Sequence, residues 1–327
     1  MTSGDGTSGP GSVGASSVAS VGARGRAAPV AAVVVSYNSR RCLEGCLRSL
    51  GAAGVERVIV VDNGSTDGSR AVAVAAGADW LESGANLGYG RAANLGARSM
   101  VVPEMPYLLI GNADIEFRPE TVQTLVAALD ADPGLGAVGP RICNVDGSLY
   151  PSARTFPDLL DAMGHGLLGL VAPRNRFTRR YRLLDWDHAE AARVDWISGA
   201  CFLARRTAWD DIGGFDPSYF MYMEDVDLCW RFGQAGWGVG YEPGAEVVHV
   251  QGVSTDLHPY RMLIAHHRSM WRFAWRRTTG ARRVALPIVF VGLGARLIVA
   301  MVRRRLDGAR RYRPVVVAGT HRRRPLP

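Results

Sequence analysis

The sequence predicts an α/β chain: a mostly parallel sheet flanked by helices, followed by a helical, basic C-terminal extension. Three observations carry this. From Val30, apolar runs of strand length alternate with segments of helical spacing, the order that parallel strands demand because each pair needs a crossover between them. Polar residues gather where those strands end. Charge is partitioned along the chain: all 38 basic residues are arginine, and residues 261–327 hold 17 of them against the single acid Asp307, a net +16 that leaves residues 1–260 at −8.

The elements follow in order. Val30–Tyr37 is an apolar run of strand length, and in Arg40–Leu50 the residues Cys42, Leu43, Cys46, Leu47 and Leu50 recur at helical spacing. Arg57–Asp62 is a second strand ending in the turn-rich Asn63–Gly68, with a helix over Ser69–Ala76. Asp79–Glu82 is a short third strand; after the glycine-rich Asn86–Gly90, a helix covers Arg91–Met100, and Tyr107–Ile110 is a fourth strand running into Gly111–Asp114. The second half is less regular. Strands are expected at Ala137–Pro140, Arg193–Leu203, Val239–Glu242 and Glu246–His249, and a helix at Met223–Gln234. The division expected is a disordered leader at 1–29, a catalytic domain at 30–257 with halves 30–114 and 115–257, and a helical tail at 258–327.

With 327 residues, 47% of them apolar and 21% charged, the chain is globular; collagen, acidic disordered chains and disulfide miniproteins are excluded. Five cysteines without paired spacing fit cytosolic thiols. Cys42 and Cys46 stand one helical turn apart, but no second pair completes a zinc site, so they read as half-buried helix residues.

Open parallel sheets bind ligands beyond the carboxyl ends of their strands. There this sequence places Ser36, Tyr37 and Asn38, then Asp62 and Asn63, then Asn112 and Asp114. Each alone is explained as a turn or cap residue; three such clusters together suggest a site. Tyr37 offers a flat wall for a base, and Asp62 an acceptor for the imide N–H shared by uracil and thymine, which favours a pyrimidine.

The segments VVVSYNS (33–39), VIVVDNGSTDGS (58–69), NLGYGRAAN (86–94), LLIGNAD (108–114), ISGACFLARR (197–206), GGFDPSYFMYMEDVDLCWR (213–231) and HVQGVST (249–255) resemble the inverting family 2 glycosyltransferases of the GT-A fold. The resemblance covers roughly residues 30–275. Within the family it points to bacterial rhamnosyltransferases that act on polyprenyl-diphosphate-linked sugars. It implies that Asn86, Gly88, Tyr89, Gly90 and Arg91 form the segment over the nucleotide sugar, the glycines allowing close approach and Arg91 meeting phosphate. It implies that Asn112-Ala113-Asp114 stands for an Asp-x-Asp metal motif whose first acid is Asn, with Asp114 and the distal His249 as ligands of Mg²⁺ or Mn²⁺. Asp225 aligns with the catalytic base; Trp196, Ser198, Gly199, Ala200 and Glu224 fall beside the acceptor, although core packing explains Trp196 equally well. Arg231 is either a structural ion partner or a diphosphate contact.

The donor expected from the resemblance is dTDP-rhamnose and the acceptor N-acetylglucosamine on a polyprenyl diphosphate, in cell-wall polysaccharide assembly. Galactofuranosyl, glucosyl or mannosyl transfer is the alternative, as is a nucleotide-sugar binding protein without catalysis. In the tail, Arg261, His266, His267, Arg268, Arg272, Arg276 and Arg277 interleave with Met262, Leu263, Ile264, Trp271, Phe273 and Trp275, chemistry suited to an anionic membrane interface. A nucleic-acid partner is not expected, because the acidic body opposes a long polyanion. Val284–Val302 is apolar but interrupted by Pro287 and Arg296, which disfavours a full span. The expected location is the cytoplasmic face of the plasma membrane, peripheral or monotopic.

Overall fold

A computed structural model describes residues 30–100, 105–156, 172, 174–250 and 259–311; the leader 1–29, the segment after Val250 that completes HVQGVST, the 257/258 boundary and the arginines 322–324 lie outside the described residues. The sheet begins with β1 (Val30–Ser36), β2 (Arg57–Asp62), β3 (Asp79–Glu82) and β4 (Tyr107–Asn112), alternating with α1 (Arg40–Ala52), α2 (Ser69–Ala75) and α3 (Tyr89–Ser99). There follow β5 (Ile115–Phe117), α4 (Thr121–Ala131), β6 (Leu135–Asn144), β7 (Leu149–Tyr150), β8 (Ala153–Arg154), α5 (Arg176–Tyr181), β9 (Ala192–Arg193), β10 (Trp196–Ile197), β11 (Cys201–Arg205), α6 (Arg206–Ile212), α7 (Glu224–Gln234) and β12 (Gly238–His249). The C-terminal part is α8 (Pro259–Arg277), a 3₁₀ turn over Gly280–Ala285 and α9 (Leu286–Arg311).

The main sheet runs β3-β2-β1-β4-β11-β6-β12-β5, with β7 added to β6 and β9 to β12. β3, β2, β1 and β4 pair in parallel, as do β6 and β12; β11 is inserted antiparallel between the two groups. Strand β1 is buried at all seven residues, which explains its unbroken apolar run. Its side chains divide with period two: Val30, Ala32 and Val34 join a core with α1 and α4, and Ala31, Val33 and Val35 one with α3, α6 and α7. In α1, Leu43, Cys46, Leu47 and Leu50 face that first core. All five cysteines are free; the Cys46 thiol lies 3.7 Å from the Asn112 carbonyl, and burial pushes the Cys42 thiol up to about 11, so neither is a ready thiolate ligand.

Three expectations change in the second half. The strand expected over Arg193–Leu203 is three short strands, because Ser198–Ala200 leave the sheet to form a turn beside the cleft. The two strands expected between Val239 and His249 are one, carried through a register shift between Glu242 and Glu246. Pro287 does not interrupt the apolar helix: it occupies the first turn of α9, where a missing N–H costs nothing. Arg296 does not break it either, since its guanidinium turns back to Met270 Sδ on α8 at 3.5 Å.

The tail packs on the body. Phe273 of α8 is buried in the second core, its ring 6.5 Å from that of Trp230. Ser269 Oγ donates to the Met221 carbonyl at 2.9 Å, and Arg276 pairs with Asp216. Helix α9 folds back along α8, with the Trp271 and Phe290 rings 5.1 Å apart.

Candidate active site

A cleft of about 1680 Å³ opens at the carboxyl ends of β1, β4 and β12. One part of its lining comes from the strand ends and the turns after them: Tyr37, Asn63, Asn86, Asn112, Ala113, Asp114 and His249. Another comes from Trp196, Ser198, Gly199, Ala200, Glu224 and Asp225, and a third from Tyr150, Arg154, Tyr181, Arg182 and a face of α8. Ligand pockets usually span about 300–1,000 Å³, so there is room for two substrates.

Asp114 and His249 meet here across 135 residues of sequence: Asp114 Oδ1 lies 3.1 Å from His249 Nε2, and His249 Nδ1 is buried without a partner. A carboxylate oxygen and an imidazole nitrogen facing one cleft fit a divalent cation as a two-residue donor set. No group of three or more His, Cys, Asp or Glu able to hold a metal occurs among the described residues, so the remaining ligands of a cation there would be waters or substrate oxygens.

Asp225 is the second residue of α7. Its Oδ2 accepts the Gly199 N–H at 3.0 Å and its Oδ1 the Val226 N–H at 2.9 Å, which fixes the carboxylate and leaves each oxygen a further lone pair. Burial raises its pKa; those two N–H donors and the charge of Arg154 act against the rise. Glu224 beside it is pushed up to about 8 by burial and by the Asp225 charge, and its Oε2 has no partner. Tyr222 and Met223, which lead into the helix, both have left-handed backbone, φ 65° and 66°. Two consecutive non-glycine residues in that region store strain, a feature that concentrates at functional sites. Tyr89, also buried, donates from its hydroxyl to the Gly199 carbonyl at 2.6 Å and so braces the turn holding Asp225.

Several predicted nucleotide residues do not line the cleft. Ser36 is fully buried beneath it. Asn38 and Asp62 lock the neighbouring loop: Asn38 Oδ1 accepts the Thr66 N–H at 2.9 Å, and both Asp62 oxygens accept the Ser65 N–H, at 3.0 and 3.2 Å. Gly88 and Gly90 are needed against the chain's own segment 215–220. A Cβ on Gly88, whose φ is 85°, would run into the Phe220 carbonyl, and one on Gly90 would stand 2.9 Å from Phe215 Cβ. Arg91 Nε donates to the Pro217 carbonyl instead of turning inward. Asn63 and Asn86 do line the cleft and also bind each other at 3.2 Å. Arg231 is settled as a structural ion partner: it pairs with buried Asp227 at 2.7 Å and donates to the carbonyls of Ile212 and Gly214.

The sequence reading missed Arg154. Its guanidinium lies 4.9 Å from the Trp196 ring and 5.7 Å from that of Tyr150, whose own ring is 6.3 Å from His249. It therefore stands between the Asp114–His249 pair and Asp225. No local signal announces it, because its partners come from three separate elements. Of the tail residues expected to suit an anionic membrane interface, Arg261, Ile264, His266, Arg268, Trp271, Arg272 and Trp275 also line this cleft.

The chain is similar to known glycosyltransferases. The family model described as glycosyl transferase family 2 matches residues 31–227. The chain is 41% identical, over 88% of its own length and 98% of the relative's, to the N-acetylglucosaminyl-diphospho-decaprenol L-rhamnosyltransferase of Mycobacterium tuberculosis. It is 26% identical, over 66% of its length and 81% of the relative's, to the rhamnosyltransferase WbbL of Escherichia coli. A crystal structure of GalNAc-T7 with UDP, GalNAc and Mn²⁺ shares the fold at a TM-score of 0.51 and 16% identity, covering 70% of this chain and 45% of that one. The family match over residues 31–227 and the 41% identity to a rhamnosyltransferase over most of both chains make the enzyme class plain, and this chain is a glycosyltransferase belonging to family 2.

Proposed function

We propose that the enzyme transfers rhamnose from dTDP-rhamnose to N-acetylglucosamine carried on a polyprenyl diphosphate, with inversion, at the cytoplasmic face of the membrane. The observation that carries the reading is Asp225: a buried carboxylate held by two backbone N–H groups in the same cleft as Asp114 and His249. Asp225 takes the proton of the acceptor hydroxyl as that oxygen attacks the anomeric carbon; the bond to the diphosphate breaks on the opposite face, and its electron pair leaves with dTDP. Burial makes Asp225 a stronger base than a free carboxylate, while the two N–H donors and Arg154 favour its ionised form. Asp114 and His249 would hold Mg²⁺ or Mn²⁺, which supplies countercharge to the diphosphate. Tyr37 in the lining supports stacking on the base, and the acceptor follows the name of the mycobacterial relative, which spans nearly the same length.

The membrane part of the reading rests on α9. Gly280–Leu306 is long and apolar enough to cross a bilayer, and Ile288, Val291, Ile298 and Val302 on it are exposed. Its packing along the arginine-rich α8 favours a helix pair lying in the interface. Asp225→Asn tests the base: turnover should fall about 10²–10⁴-fold with dTDP affinity kept, and unchanged turnover refutes the assignment. Calorimetric titration with dTDP, UDP and GDP tests the donor, and preference for GDP refutes it.

A further inference from the structure

Helix α8 turns two stripes into the cleft that the reaction above leaves unused. Arg261, Arg268 and Arg272 stand at i, i+7 and i+11, and Ile264, Trp271 and Trp275 repeat that spacing three residues further on; all six line the cleft. Three residues at about 100° each bring the second stripe round to about 60° from the first, so a charged and an apolar track run side by side. Arg261 and Arg268 have no carboxylate partner among the described residues, although Arg276 on the same helix meets Asp216 and Asp227. Arg272 lies 6.0 Å from the Tyr219 ring. The apolar track continues outward: the Trp271 ring is 5.8 Å from that of Trp275 and 5.1 Å from that of Phe290, which is 60% exposed on α9.

We propose that α8 is the lipid-diphosphate subsite of the acceptor, with Arg261, Arg268 and Arg272 holding the diphosphate and Ile264, Trp271 and Trp275 guiding the first isoprene units toward Phe290. The inference rests on the lipid-linked acceptor proposed above. Adjacent tracks of equal pitch suit a ligand whose anionic and apolar parts are covalently joined, and unpaired guanidinium groups suit phosphate oxygens. The donor's diphosphate is already provided for at Asp114 and His249, on other elements. Simple attraction to headgroups would call for arginines outside the cleft, whereas these share it with Asp225.

The test uses full-length protein saturated with dTDP and Mg²⁺, titrated calorimetrically with farnesyl diphosphate. It should bind alongside dTDP, bind at least tenfold tighter than inorganic diphosphate, and weaken at least tenfold in the Arg261→Gln/Arg268→Gln double variant, whose dTDP affinity stays unchanged. Displacement of farnesyl diphosphate by dTDP would assign the site to the donor and overturn the proposal. So would undiminished binding by the double variant, or inorganic diphosphate binding equally well. If the double variant stops sedimenting with anionic vesicles yet binds farnesyl diphosphate normally, the arginines serve headgroups and the proposal falls. Absence of rhamnosyl transfer with the expected farnesyl diphosphate binding would sink the proposed reaction while leaving the subsite standing.

Discussion

Glu224 opens α7 with its side chain buried at 6% exposure, its Oε2 unpartnered and the Asp225 carboxylate beside it. Burial and that neighbouring charge lift its pKa from 4.5 to about 8. In the pH window between those values the folded protein holds a proton that the unfolded chain has released, so stability must fall as pH rises through it. Each pH unit inside the window removes about 1.4 kcal/mol, which puts the loss across it at up to about 5 kcal/mol. Glutamine has nearly the same shape and cannot ionise. Denaturant unfolding of ligand-free wild type and Glu224→Gln at pH 5 to 9 should therefore show the variant gaining on the wild type up to about pH 8 and holding its advantage above. Glu224 and Asp225 titrate as a pair, so the difference between the two proteins reports what the carboxyl at 224 adds to that pair. A difference that is flat with pH, or that favours the wild type as pH rises, would refute the account of a protonated, desolvated Glu224.

Phe273→Ala removes a buried ring from the contact that holds α8 on the body; a loss of about 3–5 kcal/mol is expected in denaturant unfolding, and a loss below 1 kcal/mol would show that α8 is held otherwise. Gly88→Ala puts a methyl group against the Phe220 carbonyl at φ 85°; the left-handed backbone alone costs about 1–2 kcal/mol, so both melting temperature and turnover should fall, and wild-type values for both would contradict the close approach. Asn112→Asp restores a charge next to Ala113-Asp114 and should lower the Mn²⁺ concentration for half-maximal turnover, read from a metal activation curve; an unchanged curve would remove residue 112 from the cation's surroundings.

The strand–helix alternation through β4 was legible because its cause is local. A strand buried on both faces must be apolar throughout, as Val30–Val35 is, and a helix packed on one face must repeat its apolar residues every three or four positions, as Leu43, Cys46, Leu47 and Leu50 do. The polar strand ends were legible for the same reason: the site lies where apolar runs stop. Segment identity carried Asp114, Asp225 and His249 further than spacing could, and the fold brings all three to one cleft. The glycines at 88 and 90 pointed to a close approach by the nucleotide sugar, whereas in the fold it is the chain's own segment 215–220 that comes close to them.

Sequence by itself determined the parallel half of the sheet, the family and the charge division between body and tail. Tertiary structure alone decided what faces what. Arg154 stands between the Asp114–His249 pair and Asp225 because Tyr150, Trp196 and Asp225 converge on it from separate elements. Helix α8 became a wall of the cleft, more than a bare anchor, because Phe273, Ser269 and Arg276 dock it on the body. Periodicity tells which residues of a helix share a face, but the partner of that face depends on long-range packing, and that appears only when the chain is folded.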